Sequence, residues 1–383
     1  YSLNGAKLLA DKVHIMQLLQ GCTYNFNTKQ VTFNTLNRPI NSASYEETGN
    51  YTILASGSNK LTENQAMLAD LVTTNGLITD PVLIVTGDET LANTFRDKLL
   101  LLGAQEVNIA AINIDAGNSA DIELKINNAV KILFLSNTAT TINQFLKTSN
   151  GSLLRQKVHA AGMISAFVGD DSRFAGRTVV DNFYTLYASY YAELTFSKGL
   201  SLLSHSVIMP NTFYNSDMYE NSATAVPYCM ALDTLKYGIW LTNHNYMKVT
   251  PVNGKNLLTG YGAAPVMVIS NEGTLTGFSS QTGTGSTSAK PRMVAGFDDL
   301  ELSMIDYTTP YILGNVNITG VTASEIDEFS FISPNPVNDR LNFTAKGQNY
   351  NWEICSINGS QIRYGHTESE STNLNIADLK PGL

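Results

Sequence analysis

An α/β fold, with a doubly wound and mostly parallel sheet covered by helices on both faces and a small β-sandwich behind it, is what this sequence of 383 residues predicts. Three observations lead there. From Asn50 onward, short apolar runs rich in β-branched residues alternate with segments of helical periodicity. The runs are apolar at successive positions, as strands buried on both faces are. Beyond about residue 320 the texture changes to short strands separated by Pro, Asn and Gly.

The elements follow in order. Tyr51–Ser56 is an apolar strand closed by Gly57, and Glu63–Thr73 places Ala66, Leu68, Ala69 and Val72 along one helical side. Pro81 opens the strand Val82–Thr86. Thr90–Leu102 reads as a helix stopped by Gly103, Glu106–Asn113 as a strand, Ser119–Ala129 as a helix and Lys131–Ser136 as a strand. Thr141–Leu146 and Leu153–Ala160 are helical, and Met163–Val168 is a strand that stops at Gly169-Asp170-Asp171-Ser172. Leu200–Met209 and Tyr237–Leu241 are two further strands. Ser279–Ser288 lacks apolar periodicity and reads as a loop. Residues 1–49 form an N-terminal extension, with a helix over Gly5–Gln20 and a strand over Gln30–Phe33. The α/β domain is expected over 50–320 and the β domain over 331–383, with strands at Arg340–Thr344, Asn351–Ser356 and Asn373–Ile376. In an open parallel sheet, ligands bind beyond the carboxyl ends of the strands, so the residues just after each strand are where chemistry is sought.

The formal charge of −9 and the absence of a Lys/Arg run argue against nucleic acid as a partner. No apolar run reaches the roughly 18 to 20 residues of a membrane helix. Cys22, Cys229 and Cys355 are too few and too scattered for a disulfide framework or a Cys-x-x-Cys metal site, and no two of the five histidines share a helix face. Asp170, Asp171 and Asp181 lack the Gly and Glu positions of a calcium loop. Neither a metal nor a cofactor is expected. Tyr184, Tyr187, Tyr190 and Tyr191 stand at helical spacing, a pattern of cores and interfaces more than of carbohydrate platforms.

The tail, with Pro334-Asn335-Pro336, Asn358-Gly359-Ser360 and a final Leu379-Lys380-Pro381-Gly382, resembles the C-terminal sorting domain that Bacteroidetes proteins use for type IX secretion. The resemblance covers Phe331–Leu383. It implies a secreted or cell-surface (outer-membrane) protein of a Gram-negative bacterium, with the secretion machinery as a partner. That family continues past the Pro-Gly with a last strand, so a sandwich ending at Leu383 is expected to be incomplete.

Over residues 50–270 the order of elements resembles the cyanophycinase and dipeptidase E family of serine peptidases. The residues that carry the resemblance are Gly57 after its strand, Leu102-Gly103-Ala104, Asn128-Ala129-Val130, Gly199-Leu200-Ser201-Leu202-Leu203, and Gly260–Val268 as the family's closing strand. In that family a serine within Gly-Thr-Ser-Ala-Gly sits on a strained turn that exposes its hydroxyl and aims N–H groups at the oxyanion. Here the turn is Gly169-Asp170-Asp171-Ser172-Arg173, and Asp171 falls at the nucleophile position. The resemblance puts Ser136 and Asn137 where the family has its oxyanion and substrate glycines, Thr212 at the general base, and Gly238-Ile239-Trp240-Leu241 over an acidic pair.

The expected function is therefore a secreted relative that binds without cleaving, with Arg173 and Arg177 available to pair the carboxylates of acidic peptides or of a peptide polymer. The alternative is an active serine exopeptidase acting on aspartyl peptides or a cyanophycin-like polymer, with Ser172 as nucleophile and His205 or His159 as base. A purely structural, adhesin-like role is the third reading.

Overall fold

The computed structural model describes residues 49–74, 79–113, 115–189, 193–212, 219–271 and 300–314, and outside these the short strands named at the end of this subsection. The chain divides into two compact units, Tyr1–Asn315 and Val316–Leu383.

In the first unit the strands are β1 (Thr52–Ser56), β2 (Val82–Thr86), β3 (Val107–Ala111), β4 (Lys131–Leu135), β5 (Ile164–Phe167), β6 (Gly176–Val180) and β7 (Phe196–Lys198). They continue with β8 (Leu203–Met209), β9 (Tyr237–Trp240), β10 (Asn245–Val252), β11 (Lys255–Gly262), β12 (Val266–Asn271), β13 (Leu300–Ile305) and β14 (Tyr311–Leu313). The helices are α1 (Gln65–Thr73), α2 (Glu89–Leu101), α3 (Ala120–Asn128), α4 (Ala139–Phe145), α5 (Ser149–Val158) and α6 (Tyr219–Asp233).

The strands form two mixed sheets, where the sequence predicts one mostly parallel sheet. The first has eight strands in the order β14-β11-β10-β1-β5-β4-β2-β3. Its parallel part, β1-β5-β4-β2-β3, is the predicted one, while β10, β11 and β14 extend it with antiparallel pairs. The second has six strands in the order β7-β6-β8-β9-β12-β13, with β6, β8 and β9 parallel to one another.

Strand periodicity explains the layers. In β1, β2 and β4, alternate residues point to opposite faces. Leu54, Val82, Ile84, Leu133 and Leu135 meet Met67, Leu68 and Leu71 of α1 and Phe95 and Leu99 of α2 on one face. Ile53, Leu83, Val85, Ile132 and Phe134 face the other way, into a cluster that holds Ile126, Ile142, Phe145 and Leu154 of α3, α4 and α5. Helices therefore cover both faces, as predicted. That second cluster also receives Val179, Leu203, Ile208, Tyr237, Ile239 and Val268 from the second sheet, so the two sheets share one apolar layer. The outer face of the second sheet packs Val207, Trp240 and Ile269 against Val226 and Met230 of α6.

The sequence also fixes where helices start. Asp88, Ser119, Thr138 and Thr148 accept, through their side chains, the backbone N–H of Leu91, Ile122, Thr141 and Gly151. Each such cap is worth about 1 kcal/mol.

Three expectations need correcting. The stretch Gly260–Val268 is not one strand: β11 ends at Gly262 and β12 begins at Val266, because a left-handed Gly262 (φ +118°) turns the chain. Ser279–Thr282 is not loop but the end of a strand, Thr276–Thr282, paired with Pro291–Phe297 and with Arg38–Ile40; residues 283–288 lie outside the described ones. Tyr184 and Tyr187 lie on successive turns and not on a helix, and Tyr190 and Tyr191 lie outside the described residues. So does the helix read at Gly5–Gln20. The strand at Gln30–Phe33 is present and pairs with Cys22–Asn25.

In the second unit Arg340–Thr344 pairs antiparallel with Phe331–Ser333 and with Ser371–Asn375, and Tyr350–Cys355 pairs with Gln361–Thr367.

Candidate functional site at the carboxyl edge

Four strands deliver polar residues to one edge. After β1 come Gly57, Ser58 and Asn59; after β5, the 3-10 turn Gly169–Ala175; after β4, Ser136 and Asn137; after β8, Asn211 and Thr212. Gly169 is left-handed (φ +53°), and a Cβ there would lie 2.0 Å from Asn59 Oδ1 and 2.7 Å from its backbone nitrogen. Glycine alone lets the chain pass so close. Asn59 Oδ1 in turn accepts the N–H of Asp170 at 2.9 Å.

Asp171 does not sit on a strained, exposed elbow as the resemblance implies. Its side chain is fully buried, and the positive φ values fall instead at Gly169 and at Ser136 (φ +56°). Oδ1 accepts the backbone N–H of Asn137 at 2.9 Å, and Oδ2 accepts Asn137 Nδ2 at 2.6 Å. Burial pushes the carboxyl up to about 7, against the pull of the two Asn137 bonds and the Arg173 charge, with Asp170 adding to the rise. Asn137 Nδ2 also donates to Val85 O at 3.0 Å, while its Oδ1 is buried with no partner.

Ser172 is buried as well. Its hydroxyl lies 2.6 Å from Ser56 O and 3.2 Å from Phe167 O, two carbonyls that ask for its proton. Thr212 Oγ1 similarly donates to Met209 O at 3.0 Å. Arg173 turns inward: Nε donates to Asp170 O at 2.8 Å, Nη1 to Val180 O and to Asp181 O, and the guanidinium lies 4.9 Å from the Phe183 ring centroid. Arg177 is exposed on β6.

The histidines are elsewhere. His159 caps α5, bonds through Nε2 to Leu200 O at 2.9 Å and stands edge-on to Tyr51. Tyr51 precedes β1 and Ser56 ends it, so His159 and the Ser172 hydroxyl are met at opposite ends of that strand. His205 is half-buried in the first half of β8, where burial and then the Arg177 charge hold its pKa below the usual histidine range. Neither ring bonds to Ser172, whose partners are the two carbonyls.

Sequence reasoning missed a cluster around Asp170, the neighbour of Asp171 in the chain. Asp170 Oδ1 accepts Tyr184 Oη at 2.8 Å and Asn211 Nδ2 at 2.6 Å, and Asn211 Nδ2 lies 2.9 Å from Tyr184 Oη. Burial, then the Asp170 charge, raises the Tyr184 phenol well above its ordinary pKa. The signal available was positional, since Asn59, Asp170 and Asn211 each follow a strand closely. The three aspartates weighed for calcium face different partners, with Asp181 Oδ1 accepting Ser197 Oγ at 2.6 Å. Among the described residues no three His, Cys, Asp or Glu side chains gather as metal ligands.

Comparison with known proteins defines a class by the tail. Residues 332–383 match the family model of the secretion system C-terminal sorting domain. The chain is thus a secreted or cell-surface protein of a Gram-negative bacterium, with a tail addressed to the secretion machinery. Among the described residues no helix is long and apolar enough to cross a membrane. No curated protein matches the chain. Among solved structures it is similar to a peptidase from an acI-B1 Actinobacterium, 12% identical, with 58% of this chain and 92% of that one covered and a TM-score of 0.45. It is also similar to a candidate peptidase E protein from Listeria monocytogenes EGD-e, 12% identical, with 55% and 98% covered and a TM-score of 0.39.

Proposed function

We propose that this is a secreted, cyanophycinase-like protein that binds its ligand at the carboxyl edge and does not hydrolyse peptides. The observation that carries the reading is the bond from the Asn137 N–H to the buried carboxylate of Asp171. At the position that the resemblance gives to oxyanion stabilisation, the donor is already held by an internal carboxyl oxygen. A developing oxyanion would have to displace that oxygen from the N–H. Ser172 supports the same conclusion, since its hydroxyl is buried against two carbonyls with no base beside it.

The test is an assay of purified full-length protein with cyanophycin and with α- and β-aspartyl dipeptides, alongside Ser172→Ala. Loss of both nucleophile and base removes several orders of magnitude of rate, so both proteins should stay at background. Turnover by the parent that disappears in Ser172→Ala would overturn the reading.

A further inference from the structure

We propose that the rim around Asp170 is a binding site for a neutral saccharide. The proposal rests on the reading above in one respect, that the edge holds a ligand without cutting a peptide. Asn59, Asp170 and Asn211 come from the ends of three different strands, and Tyr184 closes the group by bonding both Asp170 and Asn211. Asn211 holds a left-handed backbone (φ +51°) while its N–H donates to Gly57 O, which locks its place against the neighbouring strand end. The rim therefore presents a carboxylate acceptor, amide groups and a phenol in a fixed mutual arrangement before any ligand arrives.

Beside them, Tyr184 and Tyr187 are 44% and 53% exposed and Leu186 is 52% exposed. A sugar ring offers both halves of the complement. Its vicinal hydroxyls can donate to a carboxylate and accept from an amide, and its C–H face packs on an aromatic ring. Anionic ligands fit poorly. Asp170 stands at the rim, the guanidinium of Arg173 is directed to main-chain carbonyls, and the whole chain carries a charge of −9.

The experiment titrates the purified full chain at neutral pH, by calorimetry, with xylohexaose, cellohexaose, mannohexaose and maltohexaose, and with polyaspartate and polygalacturonate as anionic arms. At least one neutral hexasaccharide should bind and the two polyanions should not. Tyr184→Ala and Asp170→Asn should each weaken binding about tenfold or more, and Tyr184→Phe, which keeps the ring, should weaken it less. Thermal melts check that each variant is folded. If Tyr184→Ala fails to fold, Tyr187→Ala, on the exposed side of the same stretch, takes its place. Failure of all four neutral sugars overturns the proposal, as does preferential binding of polyaspartate or affinity unchanged in every variant. Peptide turnover followed in the same samples separates the two readings. Turnover lost in Ser172→Ala would overturn the non-hydrolytic reading while sugar binding stood, and silence in both assays would overturn only the saccharide.

Discussion

A carboxyl group closed off from water and met by one asparagine, as Asp171 is, ionises at the expense of the fold. Its folded pKa of about 7 lies above the ordinary 3.8, so between those values the folded protein keeps a proton that the unfolded chain releases. Stability from this group is therefore present at acid pH and falls as pH rises from about 4 to about 7, then levels off. Asp171→Asn removes the titration while leaving an acceptor for the Asn137 N–H. In urea denaturation the variant should match the parent near pH 4 and exceed it by about 2 to 4 kcal/mol at pH 8. A parent curve that rises between pH 4 and 7 relative to the variant would contradict this. That Asn137, Asp171 and Thr212 each follow a strand closely was legible in the sequence, because an apolar run ends just before each of them. Which way they turn was not. Nothing in a linear spacing says that the side chain of Arg173 points to Val180 and Asp181 and not to solvent.

At the scale of elements, the parallel strands and their helices were readable because β1, β2, β4 and β5 are buried on both faces and α2, α3, α4 and α5 each start at a capping side chain. The antiparallel arm β10–β11 was missed, although its signal is present. Asn253-Gly254, both left-handed, form the turn, and β10 buries Asn245, Met247 and Val249 alternately. Such a dipeptide between alternating segments is a strong hairpin cue. Two glycines separate the kinds of constraint. A Cβ on Gly57 would lie 1.9 Å from Thr242 O, a backbone atom, whereas around Gly254 (φ +78°) there is open space. Gly57→Ala should cost about 3 kcal/mol or more by displacing the chain between β9 and β10. Gly254→Ala should cost about 1 kcal/mol, from its dihedral alone. Urea midpoints of the two variants give the comparison, and equal losses would refute the account.

For the molecule as a whole, the sorting tail was the most legible part, because its turn residues form a sequence signature independent of packing. The second sheet was the least. Its strands look like those of the first, and only the fold decides that β5 and β6, nine residues apart, belong to different sheets. The layer they jointly enclose has a dynamic consequence. Val85 of β2 and Ile239 of β9 are buried in the same cluster, so neither sheet can expose its inner face without stripping the other. Amide protons in the middle of both sheets should accordingly exchange with deuterium through a single global opening, with matching protection. Protection of β8 and β9 that is lost well before that of β2 and β4 would mean that the two sheets open separately. A unit built this way has no weak seam between its two sheets.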